Sequence, residues 1–245
     1  MTAKPRNYYM WIGGLFLRAL FGLLILAVCA FLLWRVFFSA RVPSDLKKIA
    51  PNATLKAAYD VHGEELTLFT QEQPSVTKSE QSYGYFGVPR FVFIQEANQV
   101  QLVFRYNNST LKAVQNDLGL ATTPPRGELI FDVTLLALTD TTPEISEDNT
   151  DTSETVAKTR IYASAAPRVE TTLLYTYFYY VFDGVAVTDH TLAIYLDVYA
   201  GAYFGQAPDY TQAPMGTLRL YHRDAERLAV ELSRREWRSI AEFTP

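Results

Sequence analysis

A long apolar run near the N-terminus constrains this chain more than any other feature. Residues 11–38 read WIGGLFLRALFGLLILAVCAFLLWRVFF, and no charged residue lies between Ala19 and Trp34. A helix rises 1.5 Å per residue, so this uncharged core covers about 24 Å and its apolar flanks extend it to the roughly 30 Å of a hydrocarbon layer. The run predicts one transmembrane helix, with the lipid bilayer as the partner of residues 11–38.

The residues near the two ends of the run suit membrane interfaces. Trp11 and Trp34 are aromatic residues of the kind enriched at headgroup level. Arg18 and Arg35 each lie near one end, where a long alkyl stem allows the guanidinium to reach the headgroups. We predict that these four residues contact the membrane.

Three other interpretations of the run are less favourable. A buried helix of a soluble protein is disfavoured by the length, the terminal position and the aromatic flanks. A cleaved signal peptide needs a shorter apolar region and a small-x-small site, whereas Phe38 occupies a small-residue position in Phe38-Ser39-Ala40. A lipoprotein signal at Cys29 is disfavoured because Val28 precedes it and apolar residues follow. The run is therefore predicted to be a retained signal anchor.

Charge is divided unevenly along the chain. Residues 1–49 contain seven basic residues and one acid, a net charge of +6, whereas the remainder contains 15 basic and 25 acidic residues, a net charge of −10. An acidic domain is a poor nucleic-acid binder, so no nucleic-acid partner is predicted. The basic residues on the two sides of the helix are nearly balanced, with a slight excess that favours a cytoplasmic C-terminal side. Membrane orientation stays open.

The part of the chain after the anchor has the pattern of a β-rich domain. We divide it into a tail and helix at 1–40, a connector at 41–52 and a domain at 53–245, with an acidic loop at 140–157. Two-residue periodicity predicts half-buried strands, and segments apolar on both faces predict central strands. The clear strands are 99–106 and 191–199, which alternate and are predicted to be half-buried with Gln99 and Gln101 on the outward face, and 129–138 and 173–182, which are apolar on both faces. Weaker strands are 55–61, 65–70, 90–94 and 160–163. These predict an all-β sandwich of about eight to ten mostly antiparallel strands, immunoglobulin-like or similar, with short peripheral helices.

The C-terminal segment alternates and then changes period. Residues 217–221 and 227–232 are interpreted as a hairpin with Leu228, Val230 and Leu232 facing inward. Ser233 and Glu236 then form a capping-box pattern, which predicts a helix over 234–243. One helix over 224–243 is the alternative. A second short helix is predicted over 110–118, closed by Gly119 in the left-handed conformation.

Motifs of common catalytic and metal sites are absent from the sequence. The three histidines have no ligand spacing, and Asp148-Asn149-Thr150-Asp151 lacks the glycine and the distal glutamate of a calcium loop. The domain contains no cysteine, since Cys29 lies in the apolar run. We predict no cofactor, no metal and no catalytic residue.

One patch of polar residues is a candidate binding site. Alternation places Asp197 on the same strand face as Tyr195 and Tyr199, and Asp183, Asp189 and His190 lie near in sequence. The tyrosine-rich strand 173–182 is either an exposed aromatic surface or, as we favour, a buried strand. The candidate ligand-binding residues are Asp183, Asp189, His190, Tyr195, Asp197 and Tyr199.

These observations predict a single-pass, membrane-anchored, non-enzymatic interaction or structural module. We expect it to face the cell exterior and to contact another protein or a cell-surface polymer. The alternatives are a cytoplasm-facing membrane assembly subunit and a ligand-binding or enzymatic domain that uses the Asp/Tyr patch around Asp197.

Overall fold

The computed structural model describes residues 6–39, 41–72, 76–77, 86–117, 119–141, 156–201 and 209–244. It divides into two compact units at Arg41 and Val42. The acidic residues 142–155, including the calcium-like segment 148–151, lie outside the described residues, as do the side chains of Trp11 and Arg35. The helices are α1 (Arg6–Ser39), α2 (Ala53–His62), α3 (Leu111–Asp117) and α4 (Arg234–Ala241).

The first unit contains one helix that is long and apolar enough to cross a membrane. Its segment Gly13–Trp34 has a mean hydropathy of 2.6 and no residue of that segment is buried. Those 22 residues correspond to about 33 Å of helix, which matches a hydrocarbon layer of about 30 Å. Arg18 and Trp34 are both exposed, and Trp34 lies 6.1 Å from Phe31 between ring centroids.

The second unit contains two antiparallel sheets, which confirms the predicted all-β architecture. The six-stranded sheet has the order β11-β1-β3-β4-β8-β7, and the five-stranded sheet has the order β2-β10-β9-β5-β6. The strands are β1 (Leu68–Thr70), β2 (Val76–Thr77), β3 (Phe86–Ile94), β4 (Gln99–Asn107), β5 (Phe131–Asp140), β6 (Val156–Ile161), β7 (Arg168–Thr171), β8 (Tyr175–Asp183), β9 (Thr191–Ala200), β10 (Gly216–His222) and β11 (Leu228–Ala229).

The main core lies between the inner faces of the two sheets. It is rich in aromatic side chains, among which Phe104, Phe131 and Phe178 are at most 1% exposed. The Phe104 and Phe131 rings come from different sheets and meet edge to face at 6.2 Å between centroids, a favourable geometry for aromatic pairs. The alternating inward residues of both sheets thus form one shared hydrophobic core.

The outer face of the six-stranded sheet is covered by a second layer. Helices α2 and α4 bury one cluster with the outer residues of β1 and β3, including Leu55, Val92 and Ile240. The connector buries Leu46 against Val103 and other outer residues of β4 and β8. Strands of this sheet are therefore apolar on both faces because each face has a hydrophobic partner.

Side-chain amides hold the connector on this sheet. Gln101 accepts a hydrogen bond from the Ala50 N–H at 2.8 Å and donates one to the Ala50 carbonyl at 2.9 Å. The Tyr179 hydroxyl lies within hydrogen-bond distance of the Lys48 carbonyl and the Ala50 N–H, at 3.1 and 3.0 Å, and also contacts Gln101 Oε1. Gln99 donates to Asn52 and Gln101 donates to Gln99, at 3.1 and 2.6 Å, so the polar groups under the connector are paired.

Two sequence-based predictions are wrong in this region. Residues 55–61 are not a strand but lie in α2, whose N-terminus is capped where the Asn52 side chain accepts from the Leu55 N–H at 2.9 Å. Leu55 and Ala58 share the buried helix face, and Val61 is 76% exposed. Gln99 and Gln101 do not face solvent on a half-buried strand, because the connector covers them.

The predicted C-terminal hairpin is also wrong. Strand β10 pairs with β9 and β2 in the five-stranded sheet, whereas β11 pairs with β1 in the six-stranded sheet. The buried Gln71 amide binds the backbone of His222 and Ala225 where the chain crosses between sheets. Leu228 is 40% exposed rather than inward-facing, and Val230 and Leu232 pack at the edge of the cluster under α4.

Other elements follow the sequence pattern. Helix α4 begins at the predicted capping box, in which Ser233 and Glu236 exchange hydrogen bonds. Gly119, after α3, has a φ of +63°, in the left-handed region that closes a helix. The strands predicted from 99, 129, 173 and 191 all form, but 63–65 is a turn of 3₁₀ helix, and β1 occupies only the end of the expected segment 65–70.

Candidate functional site

An open cleft on the outer face of the five-stranded sheet is a candidate site in the described part of the chain. It has a volume of about 630 Å³. Four strands contribute to it: β5, β6, β9 and β10. Its lining residues are Leu136, Leu138, Lys158, Arg160, Tyr195, Asp197, Pro214 and Thr217.

A row of polar residues crosses the floor of this cleft. Antiparallel pairing places Thr134 of β5 and Thr217 of β10 directly beside Asp197 of β9. The Thr217 hydroxyl donates to Asp197 Oδ1 at 2.8 Å. Asp197 is only 3% exposed and Thr134 is fully buried, so the row is desolvated although it belongs to an outer face.

Arg160 and three tyrosines border the same face. The Arg160 guanidinium lies 5.5 Å from the Tyr199 ring centroid and 5.7 Å from that of Tyr210, within the range of cation–π attraction. Tyr210 also packs edge to face on Tyr162 and Tyr199, at 5.1 and 5.2 Å between centroids. This aromatic cluster limits the rotation of the guanidinium and fixes its position.

Further hydrogen bonds fix the positions of these aromatic residues. Arg160 Nη1 donates to the Tyr210 carbonyl at 2.5 Å. The Tyr210 hydroxyl donates to Asp132 Oδ2, also at 2.5 Å. Asp132 faces Tyr199 across the β5–β9 pair. Each of the two carboxylates of this face therefore accepts from one protein hydroxyl, Asp132 from Tyr210 and Asp197 from Thr217.

Several buried polar atoms of this face have no hydrogen-bond partner among the described residues. They are the Thr134 hydroxyl, the Arg160 Nε–H and the Tyr199 hydroxyl, the last of which interacts with the Asp197 carboxylate without meeting hydrogen-bond geometry. A buried donor or acceptor without a partner costs about 1–3 kcal/mol, so native proteins retain few of them. Three such atoms on one sheet face leave hydrogen-bonding capacity that the described residues do not use.

The electrostatic environment matches this geometry. Burial raises the pKa of Asp197 above its ordinary value, although the Thr217 hydrogen bond and the Arg160 charge act in the opposite direction. Burial and then the nearby Asp197 charge raise the pKa of Tyr199. Burial is also the main cause of the raised pKa of Tyr210, followed by its hydrogen bond to Asp132. The face therefore holds a carboxylate in a poorly solvated position.

The structure brings together three of the six residues selected from the sequence. Tyr195 and Asp197 line the cleft, and Tyr199 lies two residues further along the same strand face. Asp189 and His190 are exposed before β9, and six residues of extended strand, about 20 Å, separate Thr191 from Asp197. Asp183 belongs to the other sheet, where it accepts from Gln99 at 2.6 Å.

Sequence reasoning missed Asp132, Thr134, Arg160 and Tyr210. Alternation alone places Asp132 and Thr134 opposite the inward residues Val133 and Leu135, and could have indicated an outer polar face. The positions of Arg160 and Tyr210 depend on strand order, which the sequence pattern does not contain.

Comparisons of the chain with family models, curated proteins and solved structures found no match. Among the described residues, no three side chains of His, Cys, Asp or Glu converge to hold a metal ion. The chemistry of the site is therefore that of its hydroxyls, its carboxylate, its guanidinium and its aromatic rings.

Proposed function

We propose that this chain is a single-pass, membrane-anchored, non-enzymatic binding module with its domain outside the cytoplasm. Its recognition surface is the outer face of the five-stranded sheet, centred on Asp197. The partner is a protein or a cell-surface polymer that offers hydrogen-bond donors and acceptors together. The apolar helix at Gly13–Trp34 supports the anchor.

The single observation that best supports the binding face is that the outer face of one sheet is covered while the outer face of the other contains an open cleft. The six-stranded sheet is covered by the connector, α2 and α4, and the polar groups of Gln99 and Gln101 beneath that layer are satisfied. On the five-stranded sheet, the described residues instead leave an open cleft with a desolvated carboxylate and partner-free polar atoms. Stability alone does not favour such an arrangement, and binding sites often contain it.

The residue types of the cleft define what it can bind. Asp197 accepts hydrogen bonds, the Arg160 guanidinium donates, and the Thr217 hydroxyl, which donates to Asp197, can still accept. Tyr195 and the leucines of β5 add apolar and aromatic area, which favours contact with a ring or an extended chain. Lys158 and Arg160 balance the acid, so a strongly charged ligand is not favoured.

Site-specific photocrosslinking in intact cells tests this binding face. A benzophenone side chain replaces Tyr195 in the cleft, and the control places it at Lys112, an exposed residue of α3. We expect adducts from position 195 that Asp197→Ala abolishes, as discrete bands for a protein or as a smear for a polymer. Adducts from position 112 alone, or equal adducts from both positions, would contradict the proposal.

The side of the membrane requires a separate test. Protease added to intact cells should remove a C-terminal epitope tag while a cytoplasmic control protein stays intact. Complete protection of the tag, together with activity of a cytoplasm-dependent reporter at the same terminus, would instead place the domain in the cytoplasm.

A further inference from the structure

Exposed basic side chains are concentrated on one part of the layer that covers the six-stranded sheet. The connector contributes Lys47 and Lys48, and α4 contributes three arginines. The three arginines are Arg234, Arg235 and Arg238. Together with Ser239 and Glu242 they line an open depression of about 560 Å³. We call these five basic residues and Arg168 of β7 the basic patch.

The connector, β7 and the start of α4 lie close together. The Ile49 N–H in the connector donates to Glu236 Oε1 of α4 at 3.4 Å. The hydrogen bond and charge of Lys48 lower the pKa of Asp45, and the charges of Arg168 and Arg235 lower it further. Three separate segments of the chain therefore contribute positive charge to one region of the surface.

The acids of this region, which include Glu170 on the same face of β7 as Arg168, are fewer than its bases, and three of them have a protein partner. Asp45 pairs with Lys48 at 2.9 Å, and Glu242 lies 4.0 Å from Arg238. The Glu236 carboxylate is bonded to Ser233 in the capping box. The basic patch therefore keeps net positive charge on a domain whose total charge is negative.

Exposed basic side chains are concentrated on the half of the layer formed by the connector and α4. The other half contains α2, whose one lysine, Lys56, pairs with Asp60 at 2.5 Å, and at whose C-terminal end lie the acidic side chains Glu64 and Glu65. The basic patch is therefore a defined surface rather than a general property of the layer.

We infer that the basic patch binds the anionic phospholipid headgroups of the membrane in which the chain is anchored. This inference rests on the proposed membrane anchor and, because the domain is proposed to lie outside the cytoplasm, on anionic lipid in the leaflet that faces the domain. In the sequence, only Ala40 separates the end of α1 from the connector that carries Lys47 and Lys48. Clusters of basic residues beside a membrane segment attract anionic lipids, with a contribution of about fivefold in binding for each Lys or Arg near the surface.

The full-length chain in lipid nanodiscs tests this inference. A Cys29→Ala, Ser239→Cys variant carries an environment-sensitive fluorophore at position 239, which is exposed on α4. Nanodiscs of pure phosphatidylcholine are compared with nanodiscs that contain phosphatidylglycerol. We expect the anionic lipid to shift the emission to the blue and to protect the label from aqueous iodide, and high salt to reverse both effects.

Two triple variants with the same change in charge separate location from net charge. Arg234→Gln, Arg235→Gln, Arg238→Gln should reduce the ratio of chains whose basic patch is bound to lipid to chains whose patch is unbound, by a factor on the order of 100. Lys112→Gln, Arg126→Gln, Arg223→Gln removes three exposed bases elsewhere and should leave it unchanged. Equal effects of the two variants would overturn the assignment to the basic patch.

The remaining outcomes distinguish failure of this inference from failure of the anchor. A chain that incorporates into nanodiscs but whose label does not respond to lipid charge would overturn lipid binding alone. A chain that elutes without lipid would overturn the anchor and this inference with it. Protection by free inorganic phosphate in phosphatidylcholine nanodiscs would show a soluble-anion site instead of a lipid contact.

Discussion

Two neighbouring tyrosines of β8 should respond to the same substitution with opposite changes in stability. Tyr179 and Tyr180 are 3% and 1% exposed. The Tyr179 hydroxyl faces the connector and contacts Lys48, Ala50 and Gln101. The Tyr180 hydroxyl points into the core and has no hydrogen-bond partner among the described residues.

The magnitudes follow from this difference in pairing. Tyr179→Phe leaves the Lys48 carbonyl without its tyrosine donor, whereas the hydrogen bond from the Ala50 N–H to Gln101 Oε1, at 2.8 Å, is retained. The free energy of unfolding should therefore fall by about 1–2 kcal/mol. Tyr180→Phe removes a buried hydroxyl that is unpaired and keeps the ring, so the free energy of unfolding should rise by about 1–2 kcal/mol. Each kcal/mol corresponds to about 2–4 °C in the midpoint of a domain of this size.

Urea unfolding of the full chain in detergent measures both changes. Trp237 packs on Tyr59 within the domain, 5.9 Å apart between ring centroids, so its fluorescence reports domain unfolding once Trp11 and Trp34 are replaced by Phe. Tyr162→Phe is the control, since Tyr162 is 53% exposed and should change stability by less than about 0.5 kcal/mol. If Tyr180→Phe lowers stability, the Tyr180 hydroxyl is not unpaired in the folded protein. If Tyr179→Phe leaves the free energy of unfolding unchanged, the Tyr179 hydroxyl does not stabilise the docked connector.

Three further predictions concern pH and packing. Burial raises the folded-state pKa of Asp197 above its ordinary value of 3.8. The contribution of Asp197 to stability is therefore present below pH 3.8 and is lost as the pH rises through the folded pKa. Asp197→Asn should unfold at a higher urea concentration than wild type at pH 7 but at the same concentration near pH 3. Burial raises the pKa of Tyr179 from 10.0 to about 12, so its contribution to stability is present below pH 10 and is lost between pH 10 and 12. Circular dichroism should show unfolding in that pH range that is weaker in Tyr179→Phe than in wild type. Identical alkaline unfolding curves of the two proteins would contradict this assignment. A Cβ at Gly201 would lie 2.3 Å from the Leu129 carbonyl oxygen, so Gly201→Ala should lower the free energy of unfolding by about 2 kcal/mol or more, and a thermal midpoint equal to wild type would show that the backbone yields without cost.

Local patterns in the sequence were sufficient for several elements. The apolar run gives α1, because a helix that satisfies its own backbone hydrogen bonds can remain apolar all round. The alternation over 99–106 and 191–199 gives β4 and β9, since a strand exposes alternate residues to opposite faces. The capping box gives the start of α4, because Ser233 and Glu236 lie three residues apart and satisfy each other's backbone groups.

The candidate site was only partly accessible from the sequence. Tyr195, Asp197 and Tyr199 share one face by their spacing alone, so their grouping needs no knowledge of the fold. Arg160 reaches them from β6, which is not a neighbour of β9 because β5 lies between them. Cross-strand order is set by the whole core and not by any one segment, so this contribution was not predictable from local pattern.

An apolar helix followed by a β-rich domain can be predicted from the spacing of apolar residues along the chain. Which sheet faces are covered cannot, because that depends on how distant segments pack together. Gln99 and Gln101 alternate as solvent-facing residues do, but the docked connector buries them and satisfies their amides. Asp197 alternates in the same way and is buried too, but the described residues leave an open cleft beside it and give its carboxylate one hydroxyl donor. Identical local patterns thus lead to different environments, because the covering of a sheet face depends on contacts between segments distant in sequence.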